Sequence, residues 1–203
     1  MKLSTTLAAL ALAAVLPLVG CAQPGPAEPP APSPSATPTP KPAAMDVTVK
    51  QLLEVDRGHP DKVAAAFAEL ITRWDVAKDK TETAAAIRAR PLMTPELAKR
   101  TVEPERNSSQ ALWLELGPLG AFSEPTIGPG VPTDGDEGTD TEDVAYRNFT
   151  ATWTWRDADG KHLKSDQRKR NIFLVMTRSN GAWSVADYVT EDLTQGPGMT
   201  QHP

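Results

Sequence analysis

Apolar residues recur at Val63, Ala66, Phe67, Leu70, Ile71 and Trp74, the spacing of a single helical face. His59-Pro60-Asp61 stands at the start of that series. Proline suits the first helical position, and an acid suits the positive end of the helix dipole. The pattern predicts a helix over 61–76. A shorter helix is predicted before it, from Thr48 to Val55, with Val49, Leu52 and Leu53 inward. Two more pieces follow. One spans Glu82 to Ala89. The other begins at Thr94-Pro95-Glu96, which offers an N-cap, a first-turn proline and an early acid, and runs to Arg100. Gln110 to Leu116 is apolar and fits helix or strand. Gly117, Pro118 and Gly120 end it either way.

The period then changes from helical to alternating. Val144 to Arg156 reads VAYRNFTATWTWR. Phe149, Ala151, Trp153 and Trp155 fall on one face, and Tyr146, Thr150, Thr152 and Thr154 on the other. Asp157 to Lys161 is a turn. Arg168 to Thr177 is the next strand, apolar on both faces from Ile172 to Met176, as a central strand is. Asn180-Gly181 is the strongest hairpin signal in the chain. Trp183 to Val189 closes the series. Helices first and an antiparallel meander afterwards mean an α+β domain.

Composition changes the picture at the amino-terminal end. Leu7 to Val19 carries no charge and is shorter than the ~20 apolar residues of a membrane span. With Lys2 before it, the run has the form of a signal peptide over 1–20. Leu18-Val19-Gly20-Cys21 resembles the lipobox of bacterial lipoproteins. That resemblance implies a diacylglyceryl thioether on Cys21, cleavage before it, and a mature protein that begins at Cys21 with two or three palmitate-type acyl chains. Cys21 is the single cysteine of the chain, so it has no internal disulfide partner. Two acyl chains give stable anchoring. From Ala22 to Pro42, nine of 21 residues are proline. Such a stretch cannot build a core and favours extended polyproline geometry. It reads as a tether over 21–45, reaching about 60 Å when extended. A PxxP ligand is the alternative. Richness in Ala and Pro suggests a high-GC bacterium, such as an actinobacterium.

The folded part is expected over 46–193, followed by a flexible tail over 194–203. The chain carries a net charge of −5, and loss of Lys2 with the leader makes it −6. No large basic stripe is present, which argues against nucleic acid as a partner.

The helix 61–76 with PLMTPELAKR, and the closing RKRNIFLVMTRSNGAWSVADYV from Arg168 to Val189, are similar to the nuclear-transport-factor-two-like, or cystatin-like, superfamily. The resemblance implies a cone-shaped fold, with N-terminal helices packed in a curved antiparallel sheet. It is nearest to actinobacterial mammalian-cell-entry-associated and conjugation-protein-like domains, which implies an assembly part rather than an enzyme. The stretch 117–143, rich in Gly, Pro and acid, departs from the pattern where the first strands belong.

Candidate chemistry is sparse. Some members of that superfamily isomerise or dehydrate small molecules with a His–Asp pair, or an Asp with a Tyr. Here His59, His162 and His202 fall on no inward position, and Tyr146, Asp187 and Tyr188 show no spacing that separates an acid from a base. Trp74, Trp153, Trp155 and Trp183 are expected inside, as core. With Tyr146 they also form the candidate pocket for an apolar ligand such as a lipid tail. DGDEGTD at 134–140 places glycine at the fifth position of a calcium loop, and DADG at 157–160 makes a turn by itself. No metal or cofactor is assigned. Lys161, His162, Lys164, Arg168, Lys169 and Arg170 form a basic edge. The four from Lys164, Arg168, Lys169 and Arg170 are the candidate docking surface for an acidic partner or anionic lipid. Two matches to the N-glycosylation pattern, at Asn107 and Asn148, carry no weight in a bacterial chain. The expectation is a membrane-anchored extracytoplasmic lipoprotein that binds another envelope protein. A carrier of an apolar molecule, and an isomerase- or dehydratase-like enzyme, stand as alternatives.

Overall fold

A computed structural model describes residues 43–106, 108–130, 138–163 and 167–193. Cys21, the leader, the tether to Pro42, the acids 134–137, Lys164 and the tail from 194 lie outside them. Helices occupy α1 (Ala43–Leu53), α2 (Pro60–Ile71), α3 (Thr83–Arg88), α4 (Pro95–Arg100) and α5 (Gln110–Leu116). Strands follow as β1 (Phe122–Pro129), β2 (Val144–Arg156), β3 (Arg168–Ser179) and β4 (Ala182–Asp192). The strands form one open antiparallel sheet in the order β1-β2-β3-β4. The helices pack on it, which makes the domain α+β.

α1 begins at Ala43, ahead of the expected domain start at 46 and of the helix predicted from Thr48. Met45 is already buried there, and Val49, Leu52 and Leu53 pack on the core as the pattern predicts. α2 is the central helix. It buries Val63, Ala64, Ala66, Phe67, Ala68, Leu70 and Ile71. Its alanines let the backbone approach the sheet closely. It stops at Ile71, short of the predicted residue 76, because side chains capture the chain beyond it. The Thr72 hydroxyl donates back to the Ala68 carbonyl at 2.8 Å. The Trp74 amide donates to Ser123 Oγ at 2.7 Å, and that hydroxyl donates to the Thr72 carbonyl at 2.8 Å. The Asp75 amide donates to Asp79 Oδ2 at 2.8 Å. Asp79 also holds Arg88 in an ion pair. Trp74 therefore sits in a loop stitched to β1, not on the helix.

Thr94 caps α4 as expected, its hydroxyl accepting from the Leu97 amide at 3.3 Å. Gln110–Leu116 is helical, and β1 lies within 117–143, the stretch that departs from the family pattern. Alternation sets the faces of the sheet. Ala145, Ala151, Trp153 and Trp155 of β2 and Ile172, Leu174 and Met176 of β3 are buried under the helices. A register shift at Val175/Met176 against β4 places Trp183, Val185 and Tyr188 on that same side. The hairpin turn holds Asn180 at φ 52° and Gly181 at φ 78°, as a type I′ turn requires.

Candidate functional site

The inner face of the sheet divides into two apolar clusters. One surrounds α2 and includes Trp183. The other is built from Trp74, Trp113, Trp153 and Trp155, with Leu116 and Ala85. Trp74 is stacked on Trp155 at 6.0 Å and meets Trp153 edge-on at 5.2 Å. Trp113 lies edge-on to Trp74 and Trp155, at 6.5 and 6.1 Å. The structure thus brings together Trp74, Trp153 and Trp155 of the expected pocket. It adds Trp113, which the sequence reading passed over; the signal was Trp113 and Leu116 three apart in QALWLEL.

Two members of the expected pocket belong elsewhere. Trp183 lies in the other cluster, where its amide donates to the Arg57 carbonyl at 2.9 Å. Arg57 Nε donates back to the Trp183 carbonyl at 3.0 Å. Tyr146 is 37% exposed on the opposite face of the sheet, as its position in the alternation requires. What the three tryptophans leave is a recess of about 50 Å³, shared with Glu82, Leu112, Arg168, Lys169, Arg170 and Asp192. Pockets for drug-sized ligands span about 300–1,000 Å³. The tryptophans therefore fill the space in which a lipid tail was expected.

The basic edge is also rearranged. β3 is a central strand, so Arg168, Lys169 and Arg170 are not on an edge. Arg170 is no docking residue. Its side chain is 12% exposed and pairs with Asp192 at 2.5 Å and Glu82 at 3.0 Å. Its guanidinium lies 5.6 and 5.5 Å from the ring centres of Trp74 and Trp153. Burial pulls the Arg170 pKa down, but the bond to Asp192 and the charge of Glu82 outweigh it and leave the pKa above its ordinary value. Ser109 donates to the other Glu82 oxygen at 2.7 Å. Lys164 lies outside the described residues.

The two described histidines, His59 and His162, stay away from the interior, and His202 lies outside the described residues. His59 Nε2 lies 3.6 Å from Asp56 on an exposed corner, and His162 Nδ1 lies 3.4 Å from the Thr154 hydroxyl. Asp157 Oδ1 accepts the Asp159 and Lys161 amides at 3.0 and 2.9 Å, which accounts for the DADG turn. Asp187 pairs with Arg100 at 2.6 Å. Tyr188 packs edge-on against Phe67 at 5.2 Å. Burial pushes the Tyr188 hydroxyl above its ordinary pKa; Arg170 opposes this, Asp187 adds to it and Arg100 opposes it.

Two open grooves flank the core. One, of about 410 Å³, runs between α4 and β4 and is lined by Leu97, Arg100, Val102, Asp187, Tyr188 and Thr190. The other, of about 570 Å³, lies between α1, α2 and β1, with Leu52, Val55, Ala66 and Ile127 among its walls. β4 is an edge strand. Its first half is covered, since the Thr94 amide donates to the Val185 carbonyl at 2.8 Å. From Asp187 to Asp192 no described backbone group pairs with its outer edge, and Val189 is 63% exposed. Comparison with family models, with curated proteins and with solved structures finds no match to this chain.

Proposed function

We propose that this chain is an extracytoplasmic lipoprotein, held at the cell membrane by acylated Cys21, whose domain docks another envelope protein as an accessory or assembly subunit. The observation that carries the reading is the contrast between a filled inner face and an open edge. Tryptophans fill the inner face, whereas among the described residues no backbone group pairs with the outer edge of β4 from Asp187 to Asp192 and a groove opens beside it. An unpaired strand edge offers a row of backbone donors and acceptors to an incoming extended segment. The groove beside it supplies apolar footing at Val102, 58% exposed, and charge at Arg100 and Asp187. The proline-rich stretch after Cys21 supplies the reach for such a contact away from the bilayer.

A photo-reactive residue at Val189, in native membranes, tests this. The expected result is one recurrent envelope protein captured from Val189 and not from exposed Leu114 on α5. A Cys21→Ala variant should lose acyl labelling, membrane association and that capture. Equal capture from both positions, or none from Val189, overturns the docking reading; an acylated Cys21→Ala protein overturns the anchor.

The carrier alternative draws its support from the groove between α1, α2 and β1, whose volume of about 570 Å³ lies in the range of ligand sites. Displacement of a fluorescent fatty acid, lost in Ala66→Glu, is its test.

A further inference from the structure

The sheet has two edge strands, β1 and β4, and they are not equally open. In an antiparallel pair, successive residues turn their backbone groups alternately toward the neighbouring strand and away from it. The Gly130 amide donates to the Asn148 carbonyl at 3.1 Å, which sets that alternation for β1. Ser123, Pro125, Ile127 and Pro129 therefore turn outward. The Ser123 amide is taken by the Trp74 carbonyl at 2.9 Å, and the two prolines have no N–H to give. Of the four, only Ile127 keeps an N–H for an incoming strand.

β4 carries no proline. The Leu193 amide donates to the Lys169 carbonyl at 2.9 Å, so Leu193, Glu191 and Val189 turn their backbone groups to β3. Tyr188, Thr190 and Asp192 turn theirs outward. Earlier in the strand, the outward groups of Trp183 and Val185 are covered by Arg57 and Thr94. The Tyr188 amide is held by Asp187 Oδ1 at 2.9 Å. The Tyr188 carbonyl and both backbone groups of Thr190 and Asp192 have no partner among the described residues.

Side chains set what an added strand must carry, because a residue placed opposite a β4 residue shares its face of the sheet. On the face away from the helices, the register lines up Asn148, Phe173 and Val189 in one row, and Thr150, Asn171 and Glu191 in the next. Val189 is 63% exposed. Asp187 is paired with Arg100 and Asp192 with Arg170, whereas Glu191 has no ion partner among the described residues. The edge thus has one acid in excess, two residues from an exposed apolar side chain. A second copy of β4 fits poorly. Set antiparallel with Val189 on Val189, it places Glu191 against an aspartate, and like charges directly opposite are destabilising.

We propose that the outer edge of β4 takes an extended segment of its partner as a fifth strand, bonded to the backbone of Tyr188, Thr190 and Asp192, with a Lys or Arg opposite Glu191 and an apolar residue opposite Val189. The segment's alternate side chains fall on the helix side, over the groove of Leu97 and Val102. The inference rests on the docking proposed above and adds the chemistry of the docked segment.

The full chain labelled with ¹⁵N is mixed with acetyl-Thr-Lys-Thr-Val-Thr-Lys-Thr-amide, whose pattern reads alike in both directions, or with the same peptide carrying Glu for Lys. Amide hydrogen exchange is followed residue by residue. The expected result is slowed exchange at Thr190 and Asp192 with the lysine peptide, and no change at Ile127 on the other edge. The glutamate peptide binds about three- to tenfold more weakly, as exchange of an attracting for a repelling cross-strand pair does. Glu191→Gln levels the two peptides, and Glu191→Lys reverses the preference. Equal binding of the two peptides to the parent chain, or slowing at Ile127 in place of Thr190 and Asp192, overturns the proposal. Protection of Thr190 and Asp192 that rises with protein concentration alone means that a second copy fills the edge, and overturns it as well. Capture from Val189 in native membranes tells the two failures apart. With capture intact, only the chemistry assigned to the segment falls; with capture lost, docking at β4 falls with it.

Discussion

Replacing Arg170 separates a structural cation from a docking one. Its guanidinium is held by Asp192 and Glu82 and lies over Trp74 and Trp153. Arg170→Ala removes all four contacts at once. Breaking a fully buried ion pair costs about 3–5 kcal/mol, because a charge is left without a partner. Here the partners are partly wet. Asp192 is 60% exposed, so its share is that of a surface pair, about 0.2–1 kcal/mol. Glu82 is 33% exposed and keeps the Ser109 hydroxyl, so its loss falls below the fully buried figure. Each cation–π contact adds about 0.5–1 kcal/mol. The expected loss for Arg170→Ala is therefore about 2–4 kcal/mol. Urea unfolding followed by tryptophan fluorescence reads it. The midpoint should fall for Arg170→Ala with an unchanged slope, which marks a change in stability alone. A double-mutant cycle with Glu82→Gln should show positive coupling between the two residues. An Arg170→Ala midpoint equal to that of the parent would refute the reasoning, and would return Arg170 to the free surface.

Gly181→Ala should cost about 1 kcal/mol, since Gly181 holds φ 78° and an added Cβ meets no atom within 4 Å that would complicate the strain. That lowers the melting temperature by about 2–4 °C in calorimetry, and an unchanged value would mean that the turn relaxes without cost. Tyr188 supplies the pH dependence. Its folded pKa is raised by burial, with Arg170 and Arg100 opposing and Asp187 adding. The contribution of Tyr188 is thus complete below the unfolded value, near 10, and is lost as pH rises past it, because the unfolded chain gives up the phenol proton first. Urea midpoints measured across alkaline pH should fall less steeply in Tyr188→Phe than in the parent, and identical slopes would contradict this.

Period and turn chemistry made much of the fold legible. The apolar series of α2, the Thr94 cap, the alternation of β2 and the Asn180-Gly181 turn are local signals, and each lies where its pattern places it. The end of α2 was not legible, because Ser123, 51 residues from Thr72, is what draws the chain out of the helix. Neither was the role of Arg170. Read by charge, RKR at 168–170 is a solvated edge. Read by the alternation that turns Ile172, Leu174 and Met176 inward, Arg168 and Arg170 face the tryptophans. That parity was available in the sequence, but the partners that decide between surface and interior were not. Glu82 lies 88 residues from Arg170, and Asp192 lies opposite it only through the register of β3 and β4. A strand's period thus assigns a side chain to a face but cannot say what covers that face at each end. At the start of β3 a network of one arginine, two acids and two indoles borders the tryptophan cluster. Trp153 Nε1 and Trp155 Nε1, buried without a hydrogen-bond partner among the described residues, sit at that boundary, where the apolar core meets the charged network.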